Sequence, residues 1–319
     1  MLFSCFLGFL ISNKFEIQKK NNASQEEEIT RKNFNYQFIN PILECDVDIS
    51  LNNQLSSLKS STRDIIDQEK NNQNITFAAV YFRDLNNGPW LGINEDEYFS
   101  PASLIKLPTL MTYLKKADIN PSILQQKLTV KIDSNSGSDI QNIKPSESLQ
   151  NNQEYPIEEL LRRMIVESDN DAYNTLIDNL SPEETYKIFK DLDIDISKAF
   201  SNPNGDIITV QEYASFYRIL YNASYLSQEM SEKALSLLSQ TEYQNGLVAG
   251  IPKNITISHK FGERKFTETQ ETQLHDCGIV YAPKKPYLLC IMTRGKDITK
   301  EATTIKKISQ HIYQTIINQ

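Results

Sequence analysis

Residues 99–106 read FSPASLIK, a stretch in which Ser103 stands three positions before Lys106. Ser100 followed by Pro101 is typical of a helix start, because serine can cap the first turn and proline is tolerated in it. Side chains three positions apart lie on one face of a helix. A serine hydroxyl beside a lysine whose pKa is lowered by burial can act as a nucleophile, so the stretch predicts covalent catalysis at Ser103.

The pattern S-x-x-K is weak evidence by itself, because residues 56–59 (SSLK) match it too. Ser56 lies among other serines on a stretch that reads as a surface helix, and it has no companion motif at a useful distance. We therefore interpret Ser56 as structural. Ser103 differs because two further polar motifs follow it along the chain.

The first companion motif is SDN at residues 168–170, between two helical patterns of apolar residues. This position is typical of a loop that faces a cleft. The hydroxyl of Ser168 could pass a proton to a leaving nitrogen, and the carboxamide of Asn170 could donate to and accept from a substrate amide. Helix capping by Ser168 or Asp169 is the alternative interpretation.

The second companion motif is KFG at residues 260–262, inside a predicted strand. Lys260 could supply a fixed positive charge for a carboxylate, and Gly262 would permit close approach of a substrate backbone. Lysine on an edge strand is also common for solubility, so this motif gains weight only from the other two.

In the order S-x-x-K, S-D-N, K-x-G, the motifs resemble those of the class A β-lactamases and penicillin-binding proteins. The resemblance covers about residue 75 to the C-terminus, and it includes the surroundings FSPA at 99–102, ELL at 159–161, His275, Asp276 and Gly278. It implies a mixed α and β fold of the β-lactamase type. That fold is a five-stranded antiparallel sheet flanked by helices, plus an all-helical lobe.

The resemblance also implies a serine acyl-transfer hydrolase that opens a β-lactam or related amide through an acyl-enzyme on Ser103. Lys106 would contribute to proton removal, Ser168 would relay the proton to the departing nitrogen, and Lys260 would polarise Ser168 and attract a substrate carboxylate. The oxyanion would bind the backbone N–H groups of Ser103 and Glu263. Further substrate contacts would come from Asn170, Phe261, Gly262 and Glu263.

Two features depart from the family pattern. Phe261 stands where the family has a hydroxyl residue, and Glu263 adds negative charge beside it. The family also carries a loop glutamate in an E-x-x-x-N pattern that activates water for deacylation, and this pattern is absent between Asn179 and Thr209. The acids in that segment are Glu183, Glu184, Asp191, Asp193, Asp195 and Asp206.

Without a placed base, acylation can be intact while hydrolysis of the acyl-enzyme is slow. A peptidoglycan D,D-peptidase or a slowly deacylating penicillin-binding protein is therefore the first alternative to a β-lactamase. A non-enzymatic cell-surface binding module that keeps remnants of the motifs is an alternative of another class.

The composition excludes several other functions. The formal net charge is −8 with a pI near 5.1, and no large cluster of Lys and Arg occurs, so we expect no nucleic-acid partner. The chain has three histidines and lacks G-x-S-x-G and H-E-x-x-H motifs, so neither a Ser-His-Asp hydrolase nor a zinc site is predicted. We expect a monomer that needs no metal and no cofactor and that acts on a small substrate.

The order of apolar patterns predicts three regions. Residues 1–12 are an apolar export signal or membrane anchor whose start is clipped, residues 13–50 are a polar linker, and residues 51–319 are the catalytic domain. A helical lobe at about 101–250 is inserted between early strands (75–85, 90–94) and late strands (255–262, 274–281, 287–294). The N-terminal segment predicts an extracytoplasmic protein that is secreted or attached to a membrane by that segment alone.

Two cysteines fall on late strands that we predict to be neighbours. Cys277 and Cys290 can form a disulfide in an oxidising compartment if the geometry brings them together.

Overall fold

The computed structural model describes residues 36–41, 52–86, 88–132, 145, 147–197 and 205–318. The predicted signal or anchor at 1–12 and most of the predicted linker at 13–50 lie outside these ranges. Within them, no helix is both long and apolar enough to cross a membrane.

The strands of the described residues form one large sheet and two small ones. They are β1 (Phe77–Asp84), β2 (Trp90–Ile93), β3 (Tyr98–Phe99), β4 (Lys127–Thr129), β5 (Glu154–Pro156), β6 (Ile208–Thr209), β7 (Ile257–Lys265), β8 (Thr272–Val280) and β9 (Tyr287–Gly295). The large sheet has five strands in the order β2-β1-β9-β8-β7, and all its pairs are antiparallel. The strands β3 and β6 pair with each other, as do β4 and β5.

Helices cover both faces of the large sheet. They are α1 (Asn52–Asn71), α2 (Lys106–Ile119), α3 (Ile157–Val166), α4 (Asn170–Ile177), α5 (Pro182–Asp191), α6 (Val210–Tyr221), α7 (Gln228–Leu238) and α8 (Ile298–Ile317). Successive side chains of a strand point to opposite faces. Accordingly, Val80 of β1 lies in an apolar core with residues of α1 and α8, whereas Tyr81 lies in a second core with residues of α2 to α7. This architecture confirms the predicted fold class.

Most predicted elements agree with the structure to within a few residues, and one strand is longer than predicted. The strand predicted at 255–262 runs from Ile257 to Lys265. Its charged end was not expected to be strand. Glu263 and Lys265 extend it because they pair with Leu274 and Thr272 of β8, which supplies backbone partners along one side.

Residues 36–41, which fall within the predicted linker, pack against the body of the protein. The backbone N–H groups of Gln37, Phe38 and Ile39 donate to the carboxylate of Glu232 at 2.7, 2.8 and 3.0 Å. The side chains of Phe38 and Ile39 are buried in the core that contains α6 and α7. These six residues are therefore part of the folded domain.

A disulfide joins the neighbouring strands β8 and β9. Cys277 and Cys290 are opposite each other in the antiparallel register, and both are buried. The prediction that these two cysteines lie on adjacent strands is confirmed.

Candidate active site

The predicted nucleophile lies on a short 3₁₀ turn that leads into α2. Ser103 is in the turn Ala102–Ile105, and α2 begins at Lys106. Side chains three positions apart eclipse each other in a 3₁₀ turn. Lys106 Nζ consequently lies 3.1 Å from Ser103 Oγ. The preceding residue, Ala102, has a φ of +46°, a left-handed conformation that is strained for alanine.

Ser100 anchors this turn to the sheet instead of capping it, which corrects our prediction of a serine cap. Its N–H donates to Gln273 Oε1 at 3.1 Å, and its carbonyl accepts from His275 Nε2 at 2.9 Å. Its hydroxyl accepts from Arg264 Nη1 at 2.6 Å. Burial lowers the pKa of His275 to about 4, so the imidazole is neutral and donates from Nε2. Tertiary hydrogen bonds to β7 and β8 therefore replace the local cap.

Lys106 is the centre of the hydrogen-bond network. Its side chain is 1% exposed, and its Nζ lies 2.6 Å from the carbonyl oxygen of Ser168 and 2.7 Å from Asn170 Oδ1. Burial lowers the pKa of Lys106 to about 7. A neutral amine has two hydrogens and one lone pair. With the two hydrogens on these acceptors, the lone pair is left for the hydroxyl proton of Ser103.

Ser168 lies between two lysines. Its Oγ is 3.2 Å from Lys106 Nζ and accepts a hydrogen bond of 2.9 Å from Lys260 Nζ. Burial and the nearby ammonium of Lys106 both lower the pKa of Lys260. Two buried ammonium groups repel each other, so the site favours one charged and one neutral lysine. A Ser168 hydroxyl that accepts from Lys260 can donate its proton elsewhere.

The SDN triplet lies at the break between α3 and α4, as predicted. Asp169 caps α4, since its Oδ1 accepts from the backbone N–H groups of Asp171 at 2.8 Å and Ala172 at 3.0 Å. Ser168 has a φ of +56° and is fully buried. The capping carboxylate holds the strained turn that aims Ser168 at both lysines.

The glycine of the KFG motif permits a close approach between β7 and the nucleophile turn. A Cβ atom at Gly262 would lie 3.0 Å from Pro101 O and Leu104 N and 3.1 Å from Ser103 N. β7 is an edge strand, so its open side faces this turn. The backbone N–H groups of Ser103 and Glu263, our predicted oxyanion donors, belong to these two adjacent segments.

A family model described as the Beta-lactamase enzyme family matches residues 57–316. The chain belongs to this β-lactamase family. A search of curated protein sequences finds no match.

Solved structures of the same fold include PBP-A and class A β-lactamases. A PBP-A mutant, solved as an acyl-enzyme complex with penicillin G, is 25% identical with a TM-score of 0.67, over 83% of this chain and 98% of that one. PBP-A itself is 24% identical with a TM-score of 0.68, over 86% and 100%. A class A β-lactamase from Mycobacterium abscessus is 22% identical with a TM-score of 0.66, over 79% and 98%.

Phe261, the departure from the family motif, is buried beside Lys260. Its side chain is 2% exposed and stacks on Tyr243 with ring centroids 4.3 Å apart. Lys260 Nζ lies 4.2 Å from the centroid of the Phe261 ring. Sequence reasoning missed Tyr243, because it belongs to no motif and lies in a different segment of the chain.

Each acid between Asn179 and Thr209 either has a partner other than the nucleophile or is exposed. Four of them have partners elsewhere: Glu184 with Lys116, Asp191 with Lys187, Asp195 with the backbone N–H of Ser197, and Asp206 with Arg294. Glu183 and Asp193 are exposed. The carboxylates whose charges act on Lys106 are instead Asp169 and Glu263. Residues 198–204 read KAFSNPN and contain no acid.

The remaining candidate residues lie outside this network. Ser56 of the second S-x-x-K pattern is exposed on α1. His259 is buried and its Nδ1 lies 2.8 Å from Asp276 Oδ1. Among the residues that the structure describes, no group of three His, Cys, Asp or Glu side chains could hold a metal.

Proposed function

We propose that this member of the β-lactamase family opens a β-lactam or related amide through an acyl-enzyme on Ser103 and releases the acyl group slowly. The observation that carries the proposal is the 3.1 Å contact between Ser103 Oγ and the buried Nζ of Lys106. The pKa of Lys106 is lowered to about 7, so the amine can accept a proton at neutral pH.

In the acylation step, Ser103 Oγ attacks the carbonyl carbon and forms the new C–O bond. Lys106 takes the hydroxyl proton, and the N–H groups of Ser103 and Glu263 stabilise the oxyanion. The C–N bond then breaks, and Ser168 delivers a proton to the departing nitrogen. Its own proton is replaced from Lys106, 3.2 Å away. The positive charge of Lys260 holds the Ser168 hydroxyl in place, and Asn170 orients the substrate amide.

The position of the acids supports slow deacylation. Hydrolysis of an acyl-enzyme needs a base that activates water, and the acids between Asn179 and Thr209 have other partners or are exposed. This favours a D,D-peptidase or a slowly deacylating penicillin-binding protein as the second candidate. A non-enzymatic binding module is less well supported, because such a module has no need for a lysine buried against a serine hydroxyl.

We further propose that the protein acts outside the cytoplasm as a monomer on a small β-lactam or peptidoglycan-peptide substrate. The apolar segment at 1–12 supports secretion or attachment to a membrane through that segment. The net charge of −8 supports the absence of a nucleic-acid partner.

The test is intact mass spectrometry after incubation with a penicillin, followed over time. We expect a stable adduct on the peptide that contains Ser103, formed quickly and lost slowly. The S103A and K106A variants should form no adduct and remain folded by circular dichroism, while S56A should label like the wild type. An absent adduct, or an adduct on another residue, would refute the proposal.

A further inference from the structure

The ammonium group of Lys260 has its hydrogen-bonding capacity taken up inside the protein. Its Nζ donates to Ser168 Oγ at 2.9 Å and to the backbone carbonyl of Phe261 at 3.1 Å. The ring of Phe261 lies on a further side, with its centroid 4.2 Å away. An ammonium has three hydrogens, and an aromatic face attracts a cation. Lys260 is also 0% exposed, so none of these hydrogens points into open solvent.

Tyr243 holds the Phe261 ring in this position. The two rings are stacked with an interplanar angle of 26°, and Tyr243 is 5% exposed. Both belong to the apolar core that includes Leu247 and Leu274. Because the ring is fixed between this core and Lys260, it cannot move aside without opening buried apolar surface.

The charges around Lys260 also give little attraction for an anion. Glu263 is close enough that its charge acts on both Lys106 and Lys260. The nearby cation Arg264 is directed to the hydroxyl of Ser100 and stacks over Phe266, 4.5 Å from its ring centroid. With Lys106 neutral, the positive charge of Lys260 lies near the negative charges of Asp276 and Glu263.

We propose that Phe261 and Tyr243 set the substrate class of this site, so that it accepts acyl donors whose group beside the departing nitrogen is uncharged, such as an ester or an amide. A free carboxylate there would meet an aromatic ring and Glu263 in place of a hydroxyl and an available ammonium. This inference rests on the proposed acylation of Ser103.

The experiment compares the acylation of Ser103 by benzylpenicillin and by its methyl ester, two probes that differ only in the carboxylate. For the wild type, we expect the second-order rate constants for acylation by the acid and by the ester to agree within about threefold. One charge-assisted hydrogen bond to the carboxylate would give a larger ratio of the two rate constants. The variant F261T restores a hydroxyl and frees Lys260, so its ratio should shift at least about tenfold towards the acid. E263Q, which removes the negative charge and leaves the buried rings in place, should shift the ratio in the same direction.

The variant E268Q, which removes an exposed acid from the turn beyond β7, is the matched control for E263Q and should leave the ratio unchanged. A wild type that prefers the acid more than about tenfold, the selectivity of one charge-assisted hydrogen bond, would overturn the inference and leave the acylation proposal intact. An unchanged ratio in a folded F261T and in E263Q would also overturn it. Failure of both probes to label Ser103 would instead refute the proposed function, and the inference would fall with it.

Discussion

Arg264 donates a hydrogen bond of 2.6 Å to the hydroxyl of Ser100, from near the end of β7 to the start of the nucleophile turn. Ser100 is also bound by Gln273 and His275. The position of Ser103 beside Lys106 therefore depends on residues of the last third of the chain.

Replacement of Arg264 tests this dependence. In R264M the stem length is kept and the charged donor is lost, so Ser103 should be held less firmly. We expect acylation to slow about tenfold, the effect of one hydrogen bond to a charged group, with a small change in melting temperature. Stopped-flow measurement with a fluorescent penicillin gives the rate, and K265M, at the exposed next position, is the control. Equal rates for R264M and the wild type would contradict the positioning role.

Acylation should depend on pH through Lys106. Its pKa is lowered to about 7 by burial, and only the neutral amine can take the proton of Ser103. The acylation rate should therefore rise between about pH 6 and 8 and level off above that range. K106R should be inactive at every pH, because a guanidinium stays charged. A rate that is flat from pH 5.5 to 9 would show that another group is the base.

Substitution of the loop acids should leave deacylation unchanged. Asp193 and Asp195 are exposed, and neither charge is among those that act on Lys106. We expect D193N and D195N to release the acyl group within about twofold of the wild-type rate, as is usual for surface changes. The loss of the adduct mass over time gives these rates. A much slower release in either variant would identify a deacylating base in this loop.

Stability should fall with rising pH because of Glu301 on α8. This residue is fully buried, and its carboxylate accepts from the hydroxyls of Thr272 and Thr293. Burial raises its pKa from 4.5 to about 7. The folded chain thus binds this proton more tightly than the unfolded chain does, and the free energy of unfolding falls between about pH 4.5 and pH 7.

The variant E301Q removes this titration. It should be about 2–3 kcal/mol more stable than the wild type at pH 8 and similar to it at pH 4.5. Urea unfolding at both pH values measures the difference, and E268Q, at an exposed position, is the control. A stability difference that is the same at the two pH values would show that Glu301 does not titrate as described.

The sequence predicted those elements and motifs that are encoded by neighbouring residues. The apolar patterns placed the early and late strands, and the ordered motifs located Ser103, Lys106, Ser168 and Lys260. The structure brings these four side chains into one network. The roles assigned to them stay predictions until they are measured.

Contacts between distant segments could not be predicted in the same way. Ser100 has the signature of a helix cap, but three hydrogen bonds from β7 and β8 compete successfully for its polar atoms. Tyr243 lies outside every motif, and its stacking on Phe261 follows only from the packing of the core. A periodic pattern reports which face of an element is apolar, and it does not report which residue of another element meets that face.

The strand order β2-β1-β9-β8-β7 affects when the active site can assemble during synthesis. β1 is made long before β9, yet the two strands are neighbours in the sheet. Lys260 and Arg264 are also made late. A growing chain thus carries Ser103 without Lys260 and Arg264 until β7 has been made. We therefore expect Ser103 to become reactive only once β7 and β8 are in place.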